Sequence, residues 1–347
     1  MELQKDNLGM LDLRVRPGFC VKENKIVKCN RAAQGLFLAE GDAILPLLHT
    51  GREEYEAFTS GCLYLTLRLN GQDFGASVTR MEDGDVFILD QEADQGELQA
   101  MALAARELRE PLANVMISAD KLLRSSDTPD ATRLNQGLYQ LLRIIGNMSD
   151  AVKYTASTRQ ETRDICALMA SIFEKAKVLA EHAGIQLCYE GCEETVYCLV
   201  DEEQLERSVL NILSNAIKFM GSGGTIRASF TRCGRIMRLS VQDSGSGIAR
   251  DLLSNVFRQY LRQPGIEDGR HGIGLGMVLI RSAAANHGGT VLIDQPEENG
   301  TRITLTFAIR QSTDTPLRSP VFRVDYAGER DHGLLELSES LPSKLYK

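Results

Sequence analysis

The stretch NILSNAIKFM, Asn211 to Met220, sets the reading of the C-terminal half of this 347-residue chain. Glu202–Phe219 is expected to be a helix with Asp201 as its N-cap, and on it Asn211, Asn215 and Lys218 stand at i, i+4 and i+7, on one face. An amide oxygen can ligate Mg²⁺ and a lysine ammonium can meet phosphate oxygens, so this face suits a metal–phosphate ligand. Downstream, DSGSGI (Asp243 to Ile248) follows the strand-like run Ile236–Asp243. A carboxylate at a strand end can accept a hydrogen bond from an exocyclic amine, and Gly245 and Gly247 let a flat ring approach the backbone. GIGLGM (Gly272 to Met277) precedes the helical pattern VLIRSAAANH. Glycines before a helix N-terminus offer backbone N–H groups and the positive end of the helix dipole to phosphates.

Around these patterns, Ile165–Ala183 reads as a second helix. Ile185–Tyr189, Val196–Val200, Thr225–Phe230, Thr290–Asp294 and Thr301–Ile309 read as strands. In this order and spacing the three patterns resemble the N, G1 and G2 boxes of the GHKL ATP-binding fold. That fold is shared by histidine kinases, Hsp90-type chaperones, MutL and type II topoisomerases. Phe257 and Tyr260 look like a degenerate F box. The resemblance covers nearly all of 161–310 and implies an α/β-sandwich domain that binds ATP with Mg²⁺. By it, Asn215 would hold the metal, and Lys218 would contact phosphates with Asn211 beside it. Asp243 would bind the adenine amino group, and Gly245 and Gly247 would make room for the ring. Gly272, Gly274, Leu275 and Gly276 would end a lid over the phosphates. Hydrolytic members of the fold place a glutamate one turn before the metal-binding Asn; here that residue is Asn211, and an amide cannot serve as general base. The histidine kinase branch is the one that fits.

Upstream, Leu98, Met101, Ala105, Leu108, Leu112, Val115, Ala119 and Leu122 form a heptad seam on one long helix. After a short loop, Leu134, Leu138, Leu141, Ile145, Met148 and Val152 form a second. One hairpin buries two such seams poorly, whereas two hairpins make a four-helix bundle. The expectation is therefore a homodimer through 96–160, rather than packing on another domain of the same chain, because the seams run uninterrupted. Pro111 should kink the first helix. The segment ARELREPL, Ala105 to Leu112, resembles the phosphoacceptor box of histidine kinases: Glu107, Leu108, Arg109, Pro111 and Leu112 match. Arg106 stands where the histidine belongs, and the position four residues on, where a Thr or Asn would place a water, is Glu110. A neutral imidazole attacks phosphorus and the adjacent carboxylate, here Glu107, orients it. A guanidinium stays protonated and offers no lone pair. Of the five histidines, His49, His182, His271, His287 and His332, none is on the hairpin.

Before residue 95, Phe19–Val21 and Ile26–Cys29 flank the turn Glu23–Asn24, and Asn30 can cap the short helix RAAQGLF. Leu63–Leu69, Phe74–Thr79 and Val86–Leu89, joined at Asn70-Gly71 and Asp83-Gly84, make an antiparallel meander. This order resembles a PAS sensor domain, with no residue marking a haem or flavin site.

A net charge of -8 argues against broad nucleic-acid binding. No apolar run is long enough to span a membrane, and the N-terminus has no signal-peptide core. Cys188, Cys192 and Cys198 lack a fourth nearby zinc ligand, so the eight cysteines read as reduced thiols of a cytoplasmic protein. The chain is thus read as an α+β multidomain protein: PAS-like sensor (1–95), dimerisation hairpin with a degenerate acceptor box (96–160), GHKL ATP-binding domain (161–312) and a tail (313–347). In the tail VFRVDY looks strand-like and LLELSESL helix-like, able to dock on the body or meet a partner. The function expected is a pseudokinase regulator or scaffold of a two-component pathway, with a response regulator or a second kinase subunit as partner. The alternatives are a kinase acting in trans on a heterodimer partner's histidine, and a GHKL-type Ser/Thr protein kinase of a soluble partner.

Overall fold

The computed structural model describes residues 16–90, 93–123, 128–156, 160–220, 223–248, 256–257, 275–296, 299–310 and 330–346. The N-terminal unit has β1 (Gly18–Lys22), β2 (Lys25–Cys29), α1 (Arg31–Gln34), α2 (Arg52–Ala57), β3 (Cys62–Leu69), β4 (Gln72–Met81) and β5 (Gly84–Leu89). Its tight turns fall where sequence placed them: Glu23 and Asn24 take φ of 52° and 61°, and Asn70 and Gly71 take 50° and 81°. Positive φ at both central residues matches the right-handed strand twist of a two-residue hairpin. Asn30 caps α1, its Oδ1 accepting from Ala33 N at 2.9 Å.

The hairpin is α3 (Ala93–Leu123), which runs on through Pro111, and α4 (Pro129–Ala156). Ala105, Leu112, Met116 and Ala119 bury themselves against Leu138 and Ile145. The alternate seam positions stay exposed: Leu108 49%, Val115 52%, Leu134 49% and Leu141 49%. The side chains of Leu98 and Leu122 lie outside the described residues. One end of the seams departs from the sequence expectation. Met101, Met148 and Val152 pack with Ala151 on Leu275 and Val278, so this end is covered by the ATP-domain-like unit of the same chain. Continuous periodicity therefore did not mean one continuous partner.

The third unit is β6 (Glu161–Asp164), α5 (Ile165–His182), β7 (Ile185–Glu190), β8 (Tyr197–Val200), α6 (Glu202–Met220), β9 (Gly224–Cys233), β10 (Ile236–Asp243), α7 (Leu275–Asn286), β11 (Val291–Asp294) and β12 (Arg302–Ala308). β10 alternates buried and open positions, and its buried Met237, Leu239 and Val241 share one core with α5, α6 and α7. The tail residues α8 (His332–Glu336) and the turn at Ser343–Leu345 dock on α4, α5 and α6. VFRVDY lies outside the described residues.

The strands of the N-terminal and third units join in one sheet, while β6 and β8 pair separately. Strand order is β2-β1-β5-β4-β3-β11-β12-β10-β9-β7, a ten-stranded mixed sheet in an α+β fold. Cys62–Tyr64 pairs antiparallel with Val291–Ile293 at the join. Beside it Tyr64 tilts on Phe257 at 5.5 Å, its hydroxyl donates to Asp90 at 2.7 Å, and Arg281 pairs with Asp90 at 2.9 Å. Gly61 enters this junction with φ of +99°, and a Cβ there would lie 2.2 Å from the Ile293 carbonyl oxygen. Gly61→Ala should therefore cost about 1–3 kcal/mol. Urea unfolding checks it, and an unchanged midpoint would contradict the strand junction.

Candidate nucleotide site

The helix carrying Asn211 is anchored at its N-terminal end. Asp201 Oδ1 accepts from Gln204 N at 3.0 Å, the N-cap expected from sequence. Asp201 N donates to His287 Nε2 at 3.0 Å, so the proton of the ring sits on Nδ1, which donates to the Ala283 carbonyl at 2.7 Å. Burial pushes the pKa of His287 below its ordinary value and keeps it neutral. His287 is thus a bracket between α6 and α7.

The structure separates the three candidates on this helix. Asn211 is fully buried: Nδ2 donates to the Arg207 carbonyl at 2.9 Å and to Glu336 Oε2 at 3.3 Å, and Oδ1 accepts from Arg143 Nη2 at 3.2 Å. Asn215 is half-buried one turn on. Lys218 Nζ pairs with Glu339 Oε2 at 2.9 Å. Gly276, in the first turn of α7, lies directly under Asn211, where a Cβ would come within 2.9 Å of Oδ1. Leu275 turns its side chain into the hairpin, against Ala151 and Val278. Gly272, Gly274, His271 and Tyr260 lie outside the described residues.

At the other end, Asp243 closes β10 and is buried. Its Oδ1 accepts from Gly245 N at 2.8 Å and Thr301 N at 3.1 Å. Burial raises its carboxyl above the ordinary aspartate value, the two N–H groups pulling the other way. Gly247 takes φ of +78°, and a Cβ there would overlap Gln295 at 2.0 Å, so this loop needs glycine.

Arg106 is a solvated residue, its side chain 74% exposed and 3.5 Å from Glu107. The other described histidines are elsewhere: His49 lies beside Arg68 and Asp73, His182 ends α5, and His332 Nδ1 is 2.6 Å from Glu206. Among the described residues no His, Cys, Asp or Glu cluster could hold a metal, and all eight cysteines are free thiols.

Sequence reasoning missed the ionic cluster behind the site. Arg207, fully buried, pairs with Asp150, bonds Asn147 at 2.5 Å and meets Glu336 at 2.9 Å. Arg143 meets Glu336 and Glu339, each at 3.3 Å. A signal existed: Arg143, Asn147 and Asp150 stand at i, i+4 and i+7, a polar stripe on a helix otherwise seamed with leucine.

Residues 200–311 match the family described as histidine kinase-, DNA gyrase B-, and HSP90-like ATPase. An uncharacterized sensor-like histidine kinase of Rhizobium meliloti is 26% identical over 271 residues, 72% of this chain and 52% of that protein. The sensor-like histidine kinase SenX3 of Mycolicibacterium smegmatis is 27% identical over 248 residues, 66% of this chain and 62% of that protein. The crystal structure of full-length ShkA in complex with AMPPNP superposes with a TM-score of 0.50 at 24% identity, covering 62% of this chain and 47% of that one. The chain therefore carries a histidine kinase-like ATPase domain of the GHKL fold and is a relative of the sensor histidine kinases. It spans between half and two thirds of the length of the two relatives named. No described helix is long and apolar enough to cross a membrane.

Proposed function

We propose that this chain is an ATP-binding, histidine-kinase-like regulator of a two-component pathway that does not phosphorylate itself. The observation that carries the reading is the pairing of a preserved Asp243 cradle with a solvated guanidinium, Arg106, at the acceptor position. Asp243 would be the group for the adenine amine, its Oδ1 held by two backbone donors, with Gly245 and Gly247 in the loop beside it. At the phosphate end, Asn215 would hold Mg²⁺, with Asn211 and Lys218 on the same helix and the backbone N–H groups from Gly272 through Gly276 meeting phosphates. The metal would neutralise phosphate charge there. Arg106 has no lone pair for phosphorus, and Glu107 has no imidazole to orient. Asn211 cannot act as a base, which sets aside both hydrolysis and the Ser/Thr kinase reading.

The N-terminal unit (1–95) is read as PAS-like, supported by the order β2-β1-β5-β4-β3 in its half of the sheet. The hairpin (96–160) is read as the dimer module. Support comes from the exposed stripe Leu108, Val115, Leu134 and Leu141, which a second hairpin would cover in a four-helix bundle. Leu141→Glu should convert the dimer to monomer in sedimentation analysis; a wild-type monomer would contradict the bundle. The partner is then a response regulator or a second kinase subunit.

A complementation assay separates a regulator from a trans kinase. Wild type is mixed with a chain carrying Arg106→His and Asp243→Asn, which has an acceptor and no adenine anchor. The regulator reading expects no label on the histidine-bearing chain from γ-labelled ATP. Label that depends on wild type would replace it with the trans-kinase reading.

A further inference from the structure

The tail docks on the catalytic face of the nucleotide domain, through groups that the nucleotide reading also needs. Glu339 pairs with Lys218 at 2.9 Å and with Arg143 at 3.3 Å. Glu336, fully buried, takes Asn211 Nδ2, Arg143 and Arg207. Ser340 Oγ donates to the Ser214 carbonyl at 3.3 Å, on the same helix between those residues. The hairpin holds the other side. Gln136 Nε2 donates to the carbonyls of Ser338 and Leu341, at 2.9 and 2.8 Å, and Gln140 Nε2 donates to Ser338 at 3.1 Å. Asn135 Nδ2 donates to the Tyr346 carbonyl at 3.0 Å, and Tyr346 meets Tyr139 edge-on at 5.1 Å. Leu337 and Leu341 enter the core of the nucleotide unit.

The cluster is balanced, with Arg143, Arg207 and Lys218 against Asp150, Glu336 and Glu339. Burial alone would raise the carboxyl of Glu339, but Arg143 and Lys218 outweigh it and hold it below the ordinary glutamate range, so it is ionised at neutral pH. An ionised carboxylate on Lys218 occupies the ammonium that a phosphate would use, and it repels a polyanion arriving there.

We propose that residues 330–346 form an autoinhibitory strap in which the Glu339 carboxylate stands in for a nucleotide phosphate on Lys218, so that strap docking and phosphate binding exclude one another. This rests on the reading of Lys218 as a phosphate contact. The strap also bridges α4 and α6, so its release would remove one of the links between the nucleotide unit and the hairpin as well as opening the phosphate end. The adenine end, at Asp243, is untouched by it.

The test is equilibrium binding to the full-length chain, with Mg·ATP and adenosine as the two probes. Glu339→Gln keeps the shape of a side chain that is one-quarter exposed and removes its charge. The strap predicts that this variant binds Mg·ATP about tenfold or more tightly than wild type, with adenosine affinity unchanged. Hydrogen exchange gives a second reading on wild type: Mg·ATP, and not adenosine, should speed exchange of the 332–341 amides. Adenosine binding with no gain for Mg·ATP in Glu339→Gln would overturn the strap, as would protection of 332–341 by Mg·ATP. If neither probe binds either chain, the nucleotide reading itself fails and takes the strap with it.

Discussion

Arg207→Ala should cost the folded state about 3–5 kcal/mol, the range for removing one member of a buried, hydrogen-bonded ion cluster. The guanidinium is fully buried and joins three segments: Asp150 and Asn147 on the hairpin, its own helix α6, and Glu336 in the tail. Truncation leaves the Asp150 carboxylate buried without this partner and leaves Glu336 with Arg143 as its cation and Asn211 as its amide donor. The loss comes from uncompensated charge more than from the value of any single bond, so neutralising the partners should recover much of it. Arg207→Met combined with Asp150→Asn and Glu336→Gln should unfold at higher denaturant than Arg207→Ala alone. Chemical denaturation followed by circular dichroism measures both. A loss below about 1 kcal/mol for Arg207→Ala would place the side chain in water, contrary to the structure.

Asp243→Asn should weaken ATP binding about 10- to 150-fold, the worth of one charge-assisted hydrogen bond of 1.5–3 kcal/mol. The amide is isosteric, and its oxygen can still accept from Gly245 and Thr301. Its NH₂ then faces the position of the adenine amine, donor against donor. Stability should hold or rise. The pKa of Asp243 is raised in the folded state, so between its unfolded and folded values the native protein binds the extra proton, and stability falls as pH rises through that window. At neutral pH the buried carboxylate is a cost that Asn removes. Calorimetric titration and thermal melting read the two effects separately. Unchanged ATP affinity in a folded variant would remove Asp243 from the site.

Much of this arrangement was legible from local sequence because local physics decides it. Asn70-Gly71 and Glu23–Asn24 fix hairpin turns through their tolerance of positive φ, and Asn30 and Asp201 cap helices with short acceptor side chains. The strand Ile236–Asp243 was found to the residue because alternation and a following glycine loop bound it. What escaped was non-local. Nothing in CLYLTLRL says that its free edge will meet VLID more than 220 residues later. The strand Glu161–Asp164, sequence ETRD, has no apolar alternation and exists through its pairing with Tyr197–Val200. Glu336 reads as a solvated charge among leucines, yet is buried because two arginines nearly 130 and 193 positions earlier converge on it. The candidate site divides the same way: the Asp243 loop is local and readable, whereas the state of Asn211 and Lys218 depends on the tail.

On the proposed function the nucleotide site is kept and the nucleophile is lost. Incubating the purified chain with Mg²⁺ and γ-labelled ATP, and scoring bound nucleotide and acid-labile label on the protein together, tests both halves at once. The expected result is nucleotide bound in an Asp243-dependent manner with no label on the chain. Acid-labile label on the wild-type chain, or no bound nucleotide at all, would contradict it.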